Sequence, residues 1–357
     1  MMREHNEVQN SDKDIAVTVI VAAYNQERYI RDCLEGVVRQ KTTFAFEALV
    51  HDDASTDGTA AIIREYAEAY PGLIIPVIER ENQYSRGDKA FDGIAIPPFR
   101  GRYLAYCEGD DYWIDAYKLQ AQFEFMEAHP DYALCLHNGI VCDLYHSIDY
   151  LSEPMRCDCD KSCGRIIEEG GGKRNVTGSF FIRRSFEQPP IKHYCSARDH
   201  FEMIKLASRG SVRWFAQPMS VYRWGVANSW TDRRSHSSME RTRRHVAARV
   251  EALQIHDRAT SGIYHDAFEH RIAYERSRLI DAEQRERLSR CSSPWSVLCC
   301  QRVKMRAKLS ALIDRALPAQ LSWLLRRFTM TLRCRRAHTL VAQSNQSYLD
   351  RLAEGPR

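Results

Sequence analysis

The order of apolar and polar positions in residues 1–141 predicts strands that alternate with helices. Five nearly continuous apolar runs have the length and composition of buried strands: residues 17–23, 46–51, 73–78, 103–107 and 133–141. Three segments between them carry apolar residues at the spacing of amphipathic helices: residues 27–40, 59–70 and 117–128. Strands joined by helix-length connections indicate an α/β sheet, mainly parallel, with right-handed crossovers.

The pattern is less regular after residue 142. Residues 143–173 are polar and predict a loop that reaches three consecutive glycines near its end. The next segments predict a strand, a helix and two short strands: residues 175–182, 198–208, 212–215 and 220–224. Residues 235–290 contain few Gly or Pro and predict helix. We therefore expect four parts: a loose tail at 1–14, an α/β domain at 15–234, a helical region at 235–290 and a basic helical region at 291–357.

Basic residues are concentrated near the C-terminus. The net charge is +4, but residues 301–340 hold ten Lys and Arg against one acidic residue, Asp314. Because these residues interleave with apolar ones such as Trp323 and Leu324, two interpretations stay open. The segment either lies on an anionic membrane surface or packs on the main domain as a solvated helical face. No recognition motif accompanies the charge, which disfavours nucleic acid as a partner.

Neither an export signal nor an apolar run of membrane-spanning length is found. This predicts a cytoplasmic protein, with any membrane contact peripheral and on the cytoplasmic face. The twelve cysteines are then expected to be reduced. The spacing of Cys157, Cys159 and Cys163 matches no common zinc motif. We therefore interpret these cysteines as free thiols rather than as zinc ligands completed by His193 or Cys195.

Polar residues follow three of the predicted strands: residues 22–25, 52–59 and 108–113. In open α/β sheets, ligands bind at the carboxyl ends of the strands. Glu108, Asp110 and Asp111 would repel one another unless a cation compensates their charge. A hard divalent cation that also binds substrate phosphates would do so. The alternative is a solvated turn ahead of a helix that is capped by Asp115.

The stretch at residues 52–59 also has two interpretations. Thr56 or Asp57 can cap the helix that follows. Capping does not explain the adjacent Asp52 and Asp53. A carboxylate there can accept the imide N–H of a uracil or thymine ring while Tyr24 stacks on that ring.

Taken together and in order, the motifs resemble those of the family 2 glycosyltransferases. Four segments carry the resemblance: residues 19–25, 52–59, 101–103 and 108–113. It extends over about residues 17–230 and implies a GT-A fold. The implied reaction is metal-dependent, inverting transfer of a sugar from a UDP- or dTDP-linked donor. The implied acceptor is a hydroxyl of a glycan or lipid-linked saccharide.

The resemblance also implies a donor site, formed by Ala22, Tyr24, Asn25, Asp53, Arg86 (or Lys89) and Asp110. Tyr24 and Asp53 would contact the base, and Asp110 would lie near the ribose. Asp111, together with Asp110, would hold Mn²⁺ or Mg²⁺. Two positions depart from the family pattern: Ala22 replaces a common proline, and Glu108 stands where the first Asp of the DxD motif often lies.

The acceptor side is carried by residues 197–201 and 221–223, which resemble the part of the family that holds the catalytic base. Inverting transfer needs a group that deprotonates the acceptor hydroxyl as it attacks. Asp199 is the predicted base and His200 the second candidate, while a helix-capping role is the alternative for Asp199. The acceptor-side residues predicted from the resemblance are His137, Thr177, Ser179 and His200.

Other classes of protein fit less well. The G-x-G-x-x-G of dinucleotide-binding dehydrogenases and the G-x-x-x-x-G-K-[ST] of P-loop enzymes are both absent. A relative that binds a nucleotide sugar at the membrane surface without turnover stays open, because Glu108 departs from the pattern. Donor binding without transfer would identify such a protein.

Overall fold

The computed structural model describes residues 14–84, 99–187, 198–227, 229–235, 237–291 and 308. Several residues named above lie outside this part of the chain: the predicted donor residues Arg86 and Lys89, the residues His193 and Cys195, and nearly all of the basic C-terminal region. The domain limits at residues 234 and 290 stay predictions.

Ten strands of the described chain join in one sheet. In chain order they are β1 (Ile15–Ala23), β2 (Ala45–Asp52), β3 (Ile74–Ile78), β4 (Tyr103–Glu108), β5 (Tyr112–Trp113), β6 (Tyr132–Asp143), β7 (Ile148–Leu151), β8 (Cys159–Asp160), β9 (Phe181–Arg183) and β10 (Ser211–Trp224). The order across the sheet is β3-β2-β1-β4-β9-β6-β10-β5, with β7 beside β6 and β8 beside β10. The long neighbours β3, β2, β1 and β4 are parallel, as are β6 and β10, and short β9 lies antiparallel between these two groups.

Eight α-helices accompany the sheet in the described residues. They are α1 (Ile30–Val38), α2 (Thr59–Ala69), α3 (Lys118–Ala128), α4 (Cys163–Glu169), α5 (Arg198–Ala207), α6 (Trp230–Ser235), α7 (Met239–Ala259) and α8 (His265–Ser289). Short 3₁₀ turns lie at Thr177–Ser179 and Arg184–Phe186. Within this part of the chain, no helix is both long enough and apolar enough to cross a membrane.

Both faces of the sheet are covered, as the continuous apolar runs require. Successive strand residues point to opposite faces, and β4 shows the result. Tyr103, Ala105 and Cys107 pack with helices α1, α2 and α3, whereas Leu104 packs with α4, α5, α7 and α8. Burying each large apolar side chain contributes about 1.5–3 kcal/mol. The mainly parallel α/β sheet predicted from the sequence is confirmed, together with a helical region after it.

Several local predictions were wrong, for identifiable reasons. The predicted loop at 143–173 contains β7, β8 and α4, which are too short to show a clear period. The predicted strand at 175–182 is a 3₁₀ turn followed by β9. The two strands predicted at 212–215 and 220–224 are one strand, β10, whose pairing with β6 shifts around Pro218. By contrast, the helical region predicted at 235–290 is confirmed: it consists of α7 and α8, with a turn between them at Ser261 and Gly262, which both have positive φ.

Candidate active site

The carboxyl ends of β1, β2 and β4 meet at one edge of the sheet, because the three strands are parallel neighbours. Ala22 pairs with His51 on one side and with Glu108 on the other. Its carbonyl oxygen accepts the N–H of Gly109 at 2.8 Å, and the N–H of Asp53 donates to Ala23 O at 2.9 Å. Backbone hydrogen bonds therefore hold the three polar stretches side by side, as predicted.

Asn25 joins the loop after β1 to the loop after β2. It has a φ of 53°, a left-handed conformation that Asn adopts more readily than most residues. Its N–H donates to Ser55 Oγ at 2.8 Å, and its Oδ1 accepts the N–H of Thr56 at 2.8 Å. The preceding Tyr24 is 39% exposed. Asn25 thus organises the rim of the site, and the ring of Tyr24 lies where a flat base can reach it.

Asp53 is buried at the end of β2 and faces the chain that follows β3. Its carboxylate accepts the N–H of Gln83 at 2.6 Å and that of Tyr84 at 3.1 Å. The adjacent Asp52 accepts the N–H and the hydroxyl of Ser55. In this structure Asp53 therefore holds the segment that leads to residue 85, and base recognition by Asp53 stays a prediction.

The acidic turn after β4 is fixed by Arg223, near the end of β10. The Arg223 N–H donates to Asp111 Oδ1 at 2.8 Å, and its Nη1 donates to the carbonyl oxygen of Asp110 at 2.9 Å. The guanidinium also pairs with Asp32 and lies 4.4 Å from the ring centre of Tyr112. Arg223 thus sets the position of both predicted metal ligands.

The three carboxylates of this turn have strongly perturbed acidities. Burial, followed by the charges of Asp110 and Asp199, raises the pKa of Glu108 to about 8. Burial raises the pKa of Asp110 to about 6 although Arg223 opposes the shift. Burial and the charge of Asp110 raise the pKa of Asp111 well above its ordinary value. Ionisation of all three carboxyl groups is therefore unfavourable unless a positive charge compensates it.

A divalent cation is one group that would supply this compensation. In the described residues, no three His, Cys, Asp or Glu side chains are grouped so that they could hold a metal ion. Mg²⁺ and similar hard cations do not need such a group, because one or two carboxylates suffice when substrate phosphates complete the shell. The donor set at Asp110 and Asp111 fits this second kind of site.

Asp199 lies close enough to the acidic turn for its charge to act on Glu108, although about 90 residues separate them in the sequence. It is in the first turn of α5, and its Oδ2 accepts the N–H of Gly172 at 3.2 Å. Tyr222 is influenced by both Asp199 and the acidic turn. Burial and the charges of four carboxylates raise its pKa well above the ordinary value. These carboxylates are Asp111, Asp110, Asp199 and Glu108. The fold thus brings the predicted base and the predicted metal ligands within electrostatic range of the same tyrosine.

The predicted acceptor-side residues are placed differently. His137 and Ser179 are buried; His137 Nδ1 lies 2.6 Å from Asn138 O, and the Ser179 hydroxyl donates to Val176 O at 2.7 Å. Burial lowers the pKa of His137 to about 3. Thr177 is half-buried in the 3₁₀ turn. Contacts between these residues and an acceptor stay a prediction, which the burial of His137 and Ser179 does not favour.

His200, the second candidate for the base, is buried among helices. Its Nε2 lies 3.1 Å from the carbonyl oxygen of Ile166, and its Nδ1 lies 3.5 Å from Arg249 Nη2. Burial and the charge of Arg249 lower its pKa well below the ordinary value. Its neighbours are those of a structural histidine, which favours Asp199 as the base.

Sequence reasoning did not assign a role to Tyr222 or Arg223. Both belong to the short motif 221–223, whose resemblance to the family could have identified them. The contacts of Arg223 with Asp110 and Asp111 span more than 110 positions and required the fold. Gly172, which holds Asp199, was visible only as part of a glycine run.

Comparison with known proteins gives the family. The sequence model of "Glycosyl transferase family 2" matches residues 18–187, which include most of β1 and all of β2 to β9. An uncharacterized protein of Mycobacterium tuberculosis is 34% identical over 244 residues, covering 66% of this chain and 67% of that protein. An Escherichia coli protein named UDP-Glc:alpha-D-GlcNAc-diphosphoundecaprenol beta-1,3-glucosyltransferase WfaP is 27% identical over 176 residues, covering 48% of this chain and 67% of that protein.

Solved structures agree on the fold. The crystal structure of S. aureus TarS 1–349 in complex with UDP-GlcNAc superposes with a TM-score of 0.54 at 15% identity, covering 85% of this chain and 88% of that chain. At this identity the likeness concerns the fold, which is GT-A-like. The chain belongs to the family 2 glycosyltransferases and is an enzyme that transfers sugars.

Proposed function

We propose that this enzyme moves a sugar from a UDP- or dTDP-linked donor to a hydroxyl of a glycan or lipid-linked saccharide. The proposed transfer is metal-dependent and inverting. The observation that carries the proposal is that the charges of Asp110, Asp111 and Asp199 all act on Tyr222. This supports a site in which groups suited to a diphosphate and its cation act together with a carboxylate suited to an acceptor hydroxyl.

The donor class is supported by two proteins described above. The name of the E. coli relative specifies UDP-glucose as donor, and TarS was crystallised with UDP-GlcNAc. In this chain, the exposed ring of Tyr24 and the carboxylate of Asp53 lie at adjoining strand ends. A uracil or thymine ring can stack on the first and donate its imide N–H to the second.

The residues of the acidic turn have a separate task. We assign Asp111 and Asp110 to hold Mn²⁺ or Mg²⁺ between the turn and the donor diphosphate. The cation, when bound, supplies positive charge that stabilises the departing diphosphate. Arg223 keeps Asp110 and Asp111 in position through its backbone N–H and its guanidinium.

Asp199 is the proposed base. Its carboxylate accepts the proton of the acceptor hydroxyl while the hydroxyl oxygen attacks the anomeric carbon. The bond between this carbon and the diphosphate oxygen breaks on the opposite side, and the configuration inverts. The hydrogen bond from Gly172 engages Asp199 Oδ2, which leaves Oδ1 to receive the proton.

The acceptor is proposed from the same E. coli relative, whose name specifies a GlcNAc-diphosphoundecaprenol. A lipid-linked acceptor would be reached at the cytoplasmic face of a membrane. The basic region beyond residue 291 is the proposed site of contact with anionic lipid.

Replacing Asp199 with asparagine tests the base. The amide keeps the size and the hydrogen bond from Gly172 but cannot take up the proton. We expect transfer from UDP-sugars to α-D-GlcNAc-diphosphoundecaprenol or to a glycan acceptor to fall about a hundredfold or more, while UDP affinity stays unchanged. Asp266→Asn is the matched control, because Asp266 also lies in the first turn of a helix but is exposed and distant in the sequence from the site. Wild-type transfer by the Asp199→Asn enzyme would remove Asp199 from the mechanism.

A further inference from the structure

The glycine run at the end of α4 lies between Asp199 and the C-terminal helix α8. Gly170 and Gly172 both have a φ of 76°, a conformation that other residues rarely adopt. A Cβ atom on Gly171 would overlap the carboxylate of Asp199, and one on Gly170 would lie 2.6 Å from Arg271 Nη1. Residues 170 and 171 therefore have no room for side chains, whereas a Cβ atom on Gly172 would meet nothing within 4 Å. We call residues 170–172 the glycine bridge.

Arg271 holds the glycine bridge from the side of α8. Its Nη1 donates to the carbonyl oxygens of Glu168 and Glu169 at 3.0 and 3.2 Å. These carbonyls belong to the last turn of α4, which has no helical partner for them, and the helix dipole favours a cation there. Asn175 adds a second restraint, because its Nδ2 donates to Gly170 O at 2.9 Å.

The guanidinium of Arg271 is itself fixed. Its Nη2 donates to Glu275 Oε1 at 2.6 Å, and Arg249 of α7 donates to the same oxygen at 3.0 Å. All three side chains are buried. Because a guanidinium has donors in a rigid plane, it can bind the α4 carbonyls and Glu275 at once, which a lysine ammonium cannot do in the same geometry.

The other end of the glycine bridge contacts the carboxylate of Asp199. Within the described residues, the hydrogen bond that its carboxylate accepts comes from Gly172. Gly171 also packs closely against this carboxylate, because a Cβ atom on it would overlap Asp199 Oδ2. A displacement of the bridge by a few tenths of an ångström would therefore move the carboxylate as well.

We propose that Arg271 is a positioning residue: through the glycine bridge it fixes the carboxylate of Asp199 for proton transfer. The helical region after the α/β domain thereby takes part in setting the active site. This inference rests on the proposed role of Asp199 as base.

Two variants test the proposal, one at Arg271 and one in the glycine bridge beside Asp199. Arg271→Lys keeps the charge but loses the planar set of donors, and Gly171→Ala crowds Asp199 without touching the buried ion pairs. Arg278→Lys is the matched control, because Arg278 pairs with the same Glu275 at 3.5 Å from a position that is 45% exposed. For each we would measure kcat, KM for the donor, UDP affinity and the unfolding temperature.

We expect Arg271→Lys and Gly171→Ala to lower kcat by about tenfold to a hundredfold, since small misplacements of a catalytic group have effects of this size. KM for the donor and UDP affinity should stay within about twofold, and Arg278→Lys should behave as wild type. If Arg271→Lys does not fold, Gly171→Ala carries the test alone, because it leaves Glu275 and its partners intact.

A double-variant cycle separates positioning from general damage. In the Asp199→Asn background, Arg271→Lys should cause no further loss of kcat, because residues that act as a unit are not additive. An equal loss in both backgrounds, a parallel loss of UDP affinity, or wild-type kcat in both Arg271→Lys and Gly171→Ala would overturn the inference. Wild-type transfer by Asp199→Asn alone would instead overturn the proposed base, so the two failures are distinguishable.

Discussion

At the scale of single residues, Arg223 shows how one side chain can prepare an acidic site. Its contacts reach Asp110, Asp111 and Asp32, and its guanidinium lies over the ring of Tyr112. Arg223 opposes the rise in the pKa of Asp110 but does not cancel it. The turn is therefore held in place, while full ionisation of its carboxyl groups still requires a further positive charge.

Replacing Arg223 with lysine should weaken donor binding. The backbone N–H to Asp111 remains, but the bond to Asp110 O and the stacking on Tyr112 are lost. We expect UDP affinity in the presence of Mn²⁺ to fall about tenfold, which corresponds to about 1.4 kcal/mol, as measured by calorimetry. Arg213→Lys is the control, since Arg213 lies on the same strand and over Phe125, with acidic partners of its own. Equal affinities of the Arg223 and Arg213 variants would count against this role.

At the scale of elements, the start of α3 joins β5 to the 3₁₀ turn at 177–179 through a buried lysine. Lys118 Nζ lies 4.2 Å from the ring centre of Trp113 and donates to Gln122 Oε1 at 2.8 Å. Trp113 Nε1 donates to Gly178 O, and Gln122 Nε2 donates to Ser179 O, both at 2.9 Å. The predicted acceptor-side turn is therefore tied to the strand that follows the acidic cluster.

Lys118 should give the protein a pH-dependent stability. Burial lowers its pKa from 10.5 to about 7 in the folded state. Between these values the unfolded chain binds a proton that the folded chain does not, so the free energy of unfolding rises with pH. Relative to Lys118→Met, we expect the wild type to gain up to about 1.4 kcal/mol per pH unit from about pH 7 to about pH 9.

Denaturant unfolding at several pH values measures this difference. Lys41→Met is the control, because Lys41 is exposed and lies 5.5 Å from the ring centre of Tyr117. The free energy of unfolding of Lys41→Met relative to wild type should not change between about pH 7 and about pH 9. Parallel curves for wild type and Lys118→Met would show that Lys118 keeps an ordinary pKa.

At the scale of the whole molecule, the sequence predicted the parts that depend on local pattern. The apolar runs of β1, β2 and β4 and the polar residues after them were sufficient to predict that these polar stretches meet at one edge of the sheet. The burial of His137 and His200 was not predictable, because it depends on helices packed from distant parts of the chain. The contacts of Arg223 and Arg271 were not predictable for the same reason, since each joins residues about 100 positions apart.

The fold also explains why the C-terminal helices accompany the α/β domain. Helices α7 and α8 cover one face of the sheet with α4 and α5, and their buried charges meet at Glu275. Removing one partner from such a buried set is far more costly than removing an exposed pair. Helices α7 and α8 therefore share a hydrophobic core with this face of the sheet.

The most direct test of the account is thermal unfolding of the wild type and of Asp111→Asn with UDP, dTDP, GDP or CMP, with and without Mn²⁺. A ligand that binds only the folded state stabilises it by about 2.7 kcal/mol at a concentration of about 100 Kd, which raises the unfolding temperature by several degrees. We expect UDP or dTDP to produce this shift in the wild type only with Mn²⁺, and Asp111→Asn to abolish it while Asp266→Asn keeps it. Absence of a shift with every nucleotide in the presence of Mn²⁺, or an unchanged shift in Asp111→Asn, would contradict the proposed donor and metal site.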